Sequence, residues 1–156
     1  EIVEIEFPSA PYALAAYYSV MPAEVSTNLA RFDGMRYGLH REGKNLLEEY
    51  EKSRAEGFGP ETKRRVILGA YVLSSGYYDA YYRRATALRS VIAKDLENAF
   101  RDVSFIATPT TPGPAFKIGE KSDPVSMYLE DIFAAPANLT GIPAISIPGG
   151  MGMLWR

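Results

Sequence analysis

The 156-residue sequence contains no cysteine, so disulfide bonds, thiolate metal sites and a cysteine nucleophile are all excluded. Its 17 basic and 19 acidic residues give a formal net charge of −2, and no strong field of one sign attracts nucleic acid or an acidic membrane. Runs of 18 apolar residues are also absent, and the N-terminus does not resemble a signal peptide. These absences, with a hydrophobic content of 47% that is ample for a core, favour a cytoplasmic globular domain without a membrane partner.

Side chains that commonly carry catalysis are scarce as well. The single histidine, His40, lies in a polar loop without an acidic residue at ligand spacing, which favours an exposed loop histidine over a general base or a metal ligand. Ser74 and Ser75 fall inside a predicted helix with no base nearby in sequence, and the nucleophile-elbow and phosphate-loop patterns do not occur. The residues by themselves therefore indicate no nucleophile and no metal site in this chain.

The longest helical pattern predicts one long helix around residues 60–101. Pro60 suits the first helical turn because its missing N–H would be unbonded there, and the helix dipole favours Glu61 at this end. An apolar stripe recurs along the helix at steps of three, four or seven residues: Val66, Ala70, Leu73, Tyr77, Tyr81, Leu88, Ile92, Leu96 and Ala99. Residues 74–76 (Ser-Ser-Gly) are poor helix formers, so we expect a kink or a close packing contact there.

Short apolar segments alternate with helical segments over the rest of the chain, which predicts an α/β fold in which helices cover a mixed sheet. The predicted strands are residues 2–7, 103–107 and 144–147. Further helices are predicted at residues 10–32, with a bend or a division at Pro22, at 44–56, and at 124–133, where Ser122 or Asp123 is the cap. Prolines make the loop at 108–114 rigid, so it could line a site, and residues 136–142 are interpreted as a turn.

Three sets of side chains near breaks in the predicted structure are candidates for binding. Arg64 and Arg65 could clamp a carboxylate bidentately, although two arginines on a solvated helix face are the commoner case. Glu130 and Asp131 end a predicted helix, where the dipole disfavours an acid, so either a cation such as a substrate ammonium pairs with them or they are simply exposed. The tyrosines of residues 77–82 could stack on bases, but we favour packing in the core or at an interface.

Five strings occur together along the chain: YYSVMPAEVSTNLARFDGMRYG (17–38), EGFGPETKRRVILGAYVLSSGYYDAYYRRA (56–85), TPTTPGPAF (108–116), DPVSMYLEDIF (123–133) and PANLTGIPAISIPGG (136–150). In this order they resemble the C-terminal part of the A subunits of tRNA-dependent amidotransferases, which belong to the amidase signature family. The resemblance covers residues 1–150 as an incomplete amidase signature domain, and residues 151–156 form a divergent tail. Since the chain begins at Glu1 within a strand-like alternation, we expect a piece of a longer polypeptide.

The resemblance implies a glutamine amidohydrolase subunit, part of a carbon–nitrogen ligase that uses glutamine as the amido donor. Its ammonia would serve the ATP-dependent amidation of Glu-tRNA(Gln) or Asp-tRNA(Asn) in protein synthesis. The implied partners are glutamine, the B and C subunits of the amidotransferase, and, through the B subunit, tRNA. We expect no cofactor in this chain, with ATP and Mg²⁺ on the partner subunit. The family's catalytic lysine and two serines belong to an N-terminal part that does not match this sequence, so the chain alone is expected to be inactive.

By the same resemblance, three residues of this chain belong to the glutamine pocket: Tyr17, Arg65 and Asp131. Arg65 would clamp the α-carboxylate of glutamine, Asp131 would pair with its α-ammonium, and Tyr17 would supply a wall and a hydroxyl. Arg64 is the alternative to Arg65 if the register of the string is displaced by one.

Two other classes of function stay open. Another amidase signature hydrolase, acting on small amides, would share several of these strings, although NLARFDGMRYG (28–38) and KRR (63–65) favour the tRNA-dependent branch. A non-catalytic binding module is the second alternative. The choice between Glu-tRNA and Asp-tRNA is made largely by the partner subunit, so this sequence does not decide it.

Overall fold

The computed structural model describes residues 1–148, in which all regular secondary structure is helical. The elements are α1 (Ala10–Leu29), α2 (Leu46–Gly57), α3 (Pro60–Val72), a π-helix (Tyr78–Arg83), α4 (Arg84–Ala99), α5 (Pro124–Tyr128), a 3₁₀ turn (Leu129–Asp131) and α6 (Ala135–Thr140). They fall into two compact units, one formed by residues 1–17 with the chain from Thr86 onward and the other by Tyr18–Ala85. The predicted tail at 151–156 lies outside the described residues. No helix within residues 1–148 is both long and apolar enough to cross a membrane.

The predicted α/β fold with a mixed sheet is wrong for residues 1–148, which form no strand. The three segments expected as strands, 2–7, 103–107 and 144–147, have no regular structure. A strand is held by hydrogen bonds to a neighbouring strand, and an alternating or apolar pattern does not by itself provide that neighbour. Large apolar side chains of these segments are accordingly exposed, with Ile2 at 99%, Phe105 at 89% and Ile145 at 87%.

The predicted single helix over residues 60–101 is also wrong, because α3 ends at Val72 and regular structure resumes only at Tyr78. The break falls on the Ser-Ser-Gly segment that the sequence marks as the weak point. Gly76 there has φ +87°, a conformation that glycine adopts at no steric cost and other residues rarely adopt. The interruption is therefore a complete exit from the helix and not a bend within it.

This break also disrupts the predicted apolar stripe. A π-helix follows it, with more residues per turn than an α-helix, so the phase of the stripe is lost between α3 and α4. On α4 the prediction is confirmed for Ile92, which is fully buried, and for Leu96, which is 4% exposed. At the break it is wrong, since Tyr77 and Tyr81 are 40% and 47% exposed.

In the unit formed by Tyr18–Ala85, α3 packs against α1 at a point of very close backbone approach. A Cβ placed on Gly69 of α3 would lie 1.9 Å from the carbonyl oxygen of Pro22 in α1. The side chain of Pro22 is fully buried, and α1 continues past it as one helix to Leu29, so the proline does not divide the helix. Only a residue without a side chain lets the two helices come this close.

In the same unit, a side-chain cap stabilises the start of α2, and one arginine near its end links it to α1. Asn45 caps the helix, its side-chain oxygen accepting from the Glu48 N–H at 3.0 Å, as a preferred N-cap residue does. At the other end, Arg54 donates from Nη1 to the carbonyl oxygen of Leu29 at 3.2 Å, which ties α2 to the end of α1. Two large apolar side chains of this polar helix, Leu46 and Leu47, remain exposed.

The other unit is built on α4. Its buried apolar side chains come from three helices: Ala13 and Ala16 of α1, Ile92 and Leu96 of α4, and Ala135 and Leu139 of α6. The N-terminal segment is fixed to α4 by Ser9, whose backbone N–H donates to Oδ2 of Asp95 at 3.1 Å. Residues 135–140 form α6, so the predicted turn at 136–142 is wrong, and Gly141 with φ +74° ends this helix.

Candidate functional site

The start of α3 brings three charged side chains onto one helix face. Gly59 is extended before the helix (φ −66°, ψ 166°), and Pro60 occupies its first turn as predicted. Glu61 lies in the same turn, where the positive end of the helix dipole stabilises a carboxylate. Arg64 and Arg65 follow at three and four residues, the spacing that places side chains next to one another on a helix.

Glu61 pairs with both arginines through different oxygens. Its Oε1 accepts from Nε of Arg65 at 2.9 Å, and its Oε2 pairs with Nη1 of Arg64. The Arg65 side chain is 34% exposed and that of Arg64 is 50% exposed, so a solute can reach both. Two guanidinium groups against one carboxylate make this group of three residues net positive, which suits an anionic ligand such as a carboxylate.

Sequence reasoning missed these ion pairs. It explained Glu61 by the helix dipole alone and considered the two arginines without it. The available signal was the spacing, since an acid three or four residues before a basic residue is the favourable orientation for a helical ion pair.

Asp131 lies at the end of a short helical segment that begins at Asp123. The Asp123 carboxylate caps α5 by accepting from the backbone N–H of Ser126 at 2.8 Å, which selects Asp123 over Ser122 as the cap. This bond and a second from the Ser126 hydroxyl hold the pKa of Asp123 below its usual value. Asp131 itself is half-buried, and its backbone carbonyl oxygen accepts from the Ala134 N–H at 3.0 Å.

The neighbouring acid, Glu130, has a partner within the chain. Its carboxylate forms an ion pair with Lys121, whose ammonium also lies 4.7 Å from the centroid of the Phe116 ring. The two side chains are 18% and 26% exposed, so this pair is largely withdrawn from solvent. A lysine of the protein therefore supplies a cation for Glu130, which is one of the two explanations that the sequence left open for this acid.

Tyr17 is half-buried in the middle of α1. Together with Asp131 it belongs to the unit formed by residues 1–17 and the chain from Thr86 onward, whereas Arg65 belongs to the other unit. The structure thus supplies three partly accessible side chains of the predicted chemical types, and their assembly into one pocket stays a prediction.

Three tyrosines around the break form an exposed stack. The ring centroids of Tyr71 and Tyr77 are 4.3 Å apart, and those of Tyr77 and Tyr81 are 6.0 Å apart. The hydrogen bond between Tyr71 and Tyr77 raises the pKa of Tyr71 to about 12, with desolvation adding to the shift. Because the side chains of Tyr77 and Tyr81 are 40% and 47% exposed, the predicted packing in the core is wrong for these two, and packing at an interface stays a prediction.

The remaining candidates carry little chemistry. His40 is exposed in its loop, as predicted. Within residues 1–148, no three histidine, cysteine, aspartate or glutamate side chains come together in a way that could hold a metal ion. The rigid loop at 108–114 is exposed and has no regular structure.

Comparison with known proteins gives a consistent result. The model of the Amidase family matches residues 1–152. The A subunit of glutamyl-tRNA(Gln) amidotransferase from Pelagibacter ubique is 59% identical over 152 residues, which cover 97% of this chain and 31% of that protein. The protein of the same name from Thermodesulfovibrio yellowstonii is 57% identical over 149 residues, covering 95% of this chain and 31% of that protein.

A solved structure is similar as well. The crystal structure of the A subunit of glutamyl-tRNA(Gln) amidotransferase from Thermotoga maritima matches with a TM-score of 0.63 and 38% sequence identity. The match covers 96% of this chain and 28% of that one. The resemblance to such A subunits is therefore confirmed, and the chain spans 31% of the length of the curated relatives named above.

Proposed function

This chain belongs to the amidase family, and from that membership we propose that it forms part of the A subunit of a tRNA-dependent amidotransferase. The observation that carries the proposal is the 59% identity over 97% of the chain to a protein named as the A subunit of glutamyl-tRNA(Gln) amidotransferase. In this function the subunit hydrolyses glutamine to glutamate and ammonia, and the ammonia amidates Glu-tRNA(Gln) or Asp-tRNA(Asn). The B and C subunits of the amidotransferase are the proposed partners, with tRNA, ATP and Mg²⁺ handled by the partner subunit. The cytoplasmic location expected from the composition belongs to the same proposal.

Within that larger protein, we propose that this chain supplies binding groups for glutamine and no catalytic nucleophile. Arg65 binds the α-carboxylate, because a guanidinium offers paired N–H donors that match the two oxygens of a carboxylate. Its side chain is anchored by Glu61 at 2.9 Å and is 34% exposed, which leaves it within reach of a small molecule. Asp131 binds the α-ammonium, since a half-buried carboxylate attracts a cation more strongly than an exposed one. Tyr17 contributes its ring and its hydroxyl.

The direct test replaces Arg65 by alanine in the complete amidotransferase and measures glutamine hydrolysis. The α-carboxylate is held in the ground state and in the transition state alike, so the substitution should raise KM for glutamine far more than it lowers kcat. A charge-assisted hydrogen bond contributes about 1.5–3 kcal/mol, and for a partly exposed arginine the lower value, roughly a tenfold rise in KM, is expected.

Two further variants make the result specific. Arg65→Lys keeps the charge and loses the paired geometry, so its KM should lie between those of the wild type and the alanine variant. Arg64→Ala decides the register, because the larger rise in KM identifies the arginine that binds the carboxylate. An unchanged KM in both alanine variants would contradict the proposed role of this pair of arginines.

A further inference from the structure

One face of α3 carries Glu61, Arg64 and Arg65. Glu61 uses its two carboxylate oxygens separately, one for Nε of Arg65 at 2.9 Å and the other for Nη1 of Arg64. All three side chains lie within the first two turns of one helix, so their relative positions are set locally by the backbone. The geometry is that of one acid holding two adjacent guanidinium groups.

These ion pairs are poorly placed to contribute to stability. The side chains of Glu61 and Arg64 are 43% and 50% exposed, and solvent-exposed ion pairs contribute little to the free energy of unfolding. What such a contact does change is the freedom of a long side chain. Arginine loses considerable rotamer entropy when a ligand immobilises it, and a contact that already fixes the guanidinium reduces this cost of binding.

The position of the Glu61 contact on the guanidinium group of Arg65 also matters for ligand binding. Glu61 accepts from Nε of Arg65, which lies next to the aliphatic stem. A ligand carboxylate that approaches the two terminal nitrogens end-on would not need Nε, so it would not have to displace Glu61. The acid and an anionic ligand can therefore occupy different parts of the same guanidinium group.

We infer that Glu61 is a positioning residue for glutamine binding: it holds Arg65 in the orientation that receives the α-carboxylate. This inference rests on the proposed function, in which Arg65 binds that carboxylate. Glu61 does not contact the substrate in this role, and its effect is exerted through the arginine alone.

The test measures glutamine hydrolysis by the complete amidotransferase carrying Glu61→Ala or Glu61→Gln. Loss of one ordering contact on a rotamer-rich side chain should raise KM for glutamine in Glu61→Ala by roughly two- to tenfold, with kcat nearly unchanged. Glu61→Gln should show a smaller rise, because the amide oxygen can still accept from Nε. This conservative variant also keeps the test valid if the alanine variant folds poorly.

A matched control is available on the same unit. Asp79 and Arg83 form another i,i+4 acid–arginine pair, 3.5 Å apart, with side chains 76% and 77% exposed. Asp79→Ala removes an acid from a comparable helical pair that has no proposed role, so its KM should match that of the wild type. A general effect of weakening surface ion pairs would appear equally in this control.

The outcomes separate the two claims. In the double variant Glu61→Ala/Arg65→Ala, KM should be no higher than in Arg65→Ala, because a positioning residue has no effect once its arginine is gone. A KM within about twofold of the wild type in Glu61→Ala, beside a clear rise in Arg65→Ala, overturns the positioning role alone. If Arg65→Ala and Arg64→Ala also leave KM unchanged, the proposed carboxylate site itself has failed.

Discussion

Replacing Gly69 by alanine tests the close backbone contact between α1 and α3. In an exposed helix interior this substitution normally stabilises by about 0.8–1 kcal/mol, because alanine loses less conformational freedom than glycine. Here the opposite is expected. The added Cβ would lie 1.9 Å from the carbonyl oxygen of Pro22 and 2.7 Å from Cβ of Ser26.

The size of the effect follows from these distances. Real Cβ atoms essentially never come within 3.0 Å of another atom, so at Pro22 the two helices must move apart by about 1.1 Å. The movement would open a well-packed region, since Pro22 is fully buried, Ala23 is 1% exposed and Val72 is 4% exposed. Overpacking of this kind costs about 1–3 kcal/mol, and a clash with backbone, which cannot rotate away, favours the upper value. After the gain in helix propensity, a net loss of about 1–2 kcal/mol remains.

Thermal unfolding of the complete protein, followed by circular dichroism, measures this loss. For a domain of roughly 150–250 residues, each 1 kcal/mol lowers Tm by about 2–4 °C. Gly113→Ala is the matched control, because the methyl group it adds meets no atom within 4 Å. A Tm of Gly69→Ala that equals or exceeds that of Gly113→Ala would refute the close approach of the two helices.

Two further predictions concern pH. The pKa of Tyr71 is raised to about 12, so its neutral form stabilises the fold below pH 10, and this contribution is lost as the pH rises towards 12. The difference in tyrosinate absorbance between the wild type and Tyr71→Phe should titrate near pH 12. A midpoint near pH 10 would contradict the hydrogen bond between Tyr71 and Tyr77. The pKa of Asp123 is lower in the folded protein than in the unfolded chain, where it is near 3.8. The ionised carboxylate therefore stabilises the fold above pH 3.8, and this stabilisation is lost as the pH falls through the pKa of the folded protein. Asp123→Asn keeps a cap without this titration, so its urea midpoint should fall less steeply on acidification; an identical slope contradicts the prediction.

Features that depend on a few neighbouring residues were predictable from the sequence. The sequence placed Pro60 at the start of α3, limited the cap of α5 to Ser122 or Asp123, and marked residues 74–76 as the weak point, where the structure has a break and not the expected kink. Each of these follows from the backbone chemistry of the residue itself: a missing N–H, a carboxylate that accepts from free N–H groups, and access to positive φ. Their outcome does not depend on what the rest of the chain contributes.

Features that depend on distant partners were not predictable from the sequence. The alternating residues 2–7 have the composition of a strand, yet residues 1–148 offer them no ladder, and the pattern alone could not reveal this. The apolar stripe of the long helix failed at the break for a related reason: its period is meaningful only while the helix is continuous, so Tyr77 and Tyr81 are exposed although Ile92 and Leu96 of α4 are buried. A glycine inside a helix is unfavourable by propensity, and only the position of Pro22 explains Gly69.

The candidate site depends both on local sequence pattern and on contacts between distant residues. The local pattern selected the pairs Arg64–Arg65 and Glu130–Asp131, and the resemblance added Tyr17 and chose Arg65 and Asp131 within these pairs. The structure adds Lys121 as the partner of Glu130. The sequence could not reveal this pair, because Lys121 and Glu130 are nine residues apart and belong to different local structures.

An acid beside two arginines that are proposed to bind an acid would at first be expected to weaken the site, because a carboxylate of the protein competes with the carboxylate of the ligand. For Arg65, position and geometry remove that conflict. In the first turn of α3 the helix dipole stabilises Glu61, and its contact to Arg65 is at Nε, away from the terminal nitrogens. Without Glu61, the guanidinium groups of Arg64 and Arg65 would lose a common anchor. The acid therefore favours carboxylate binding by keeping the receptor in place, and this is why its removal should affect KM and not kcat.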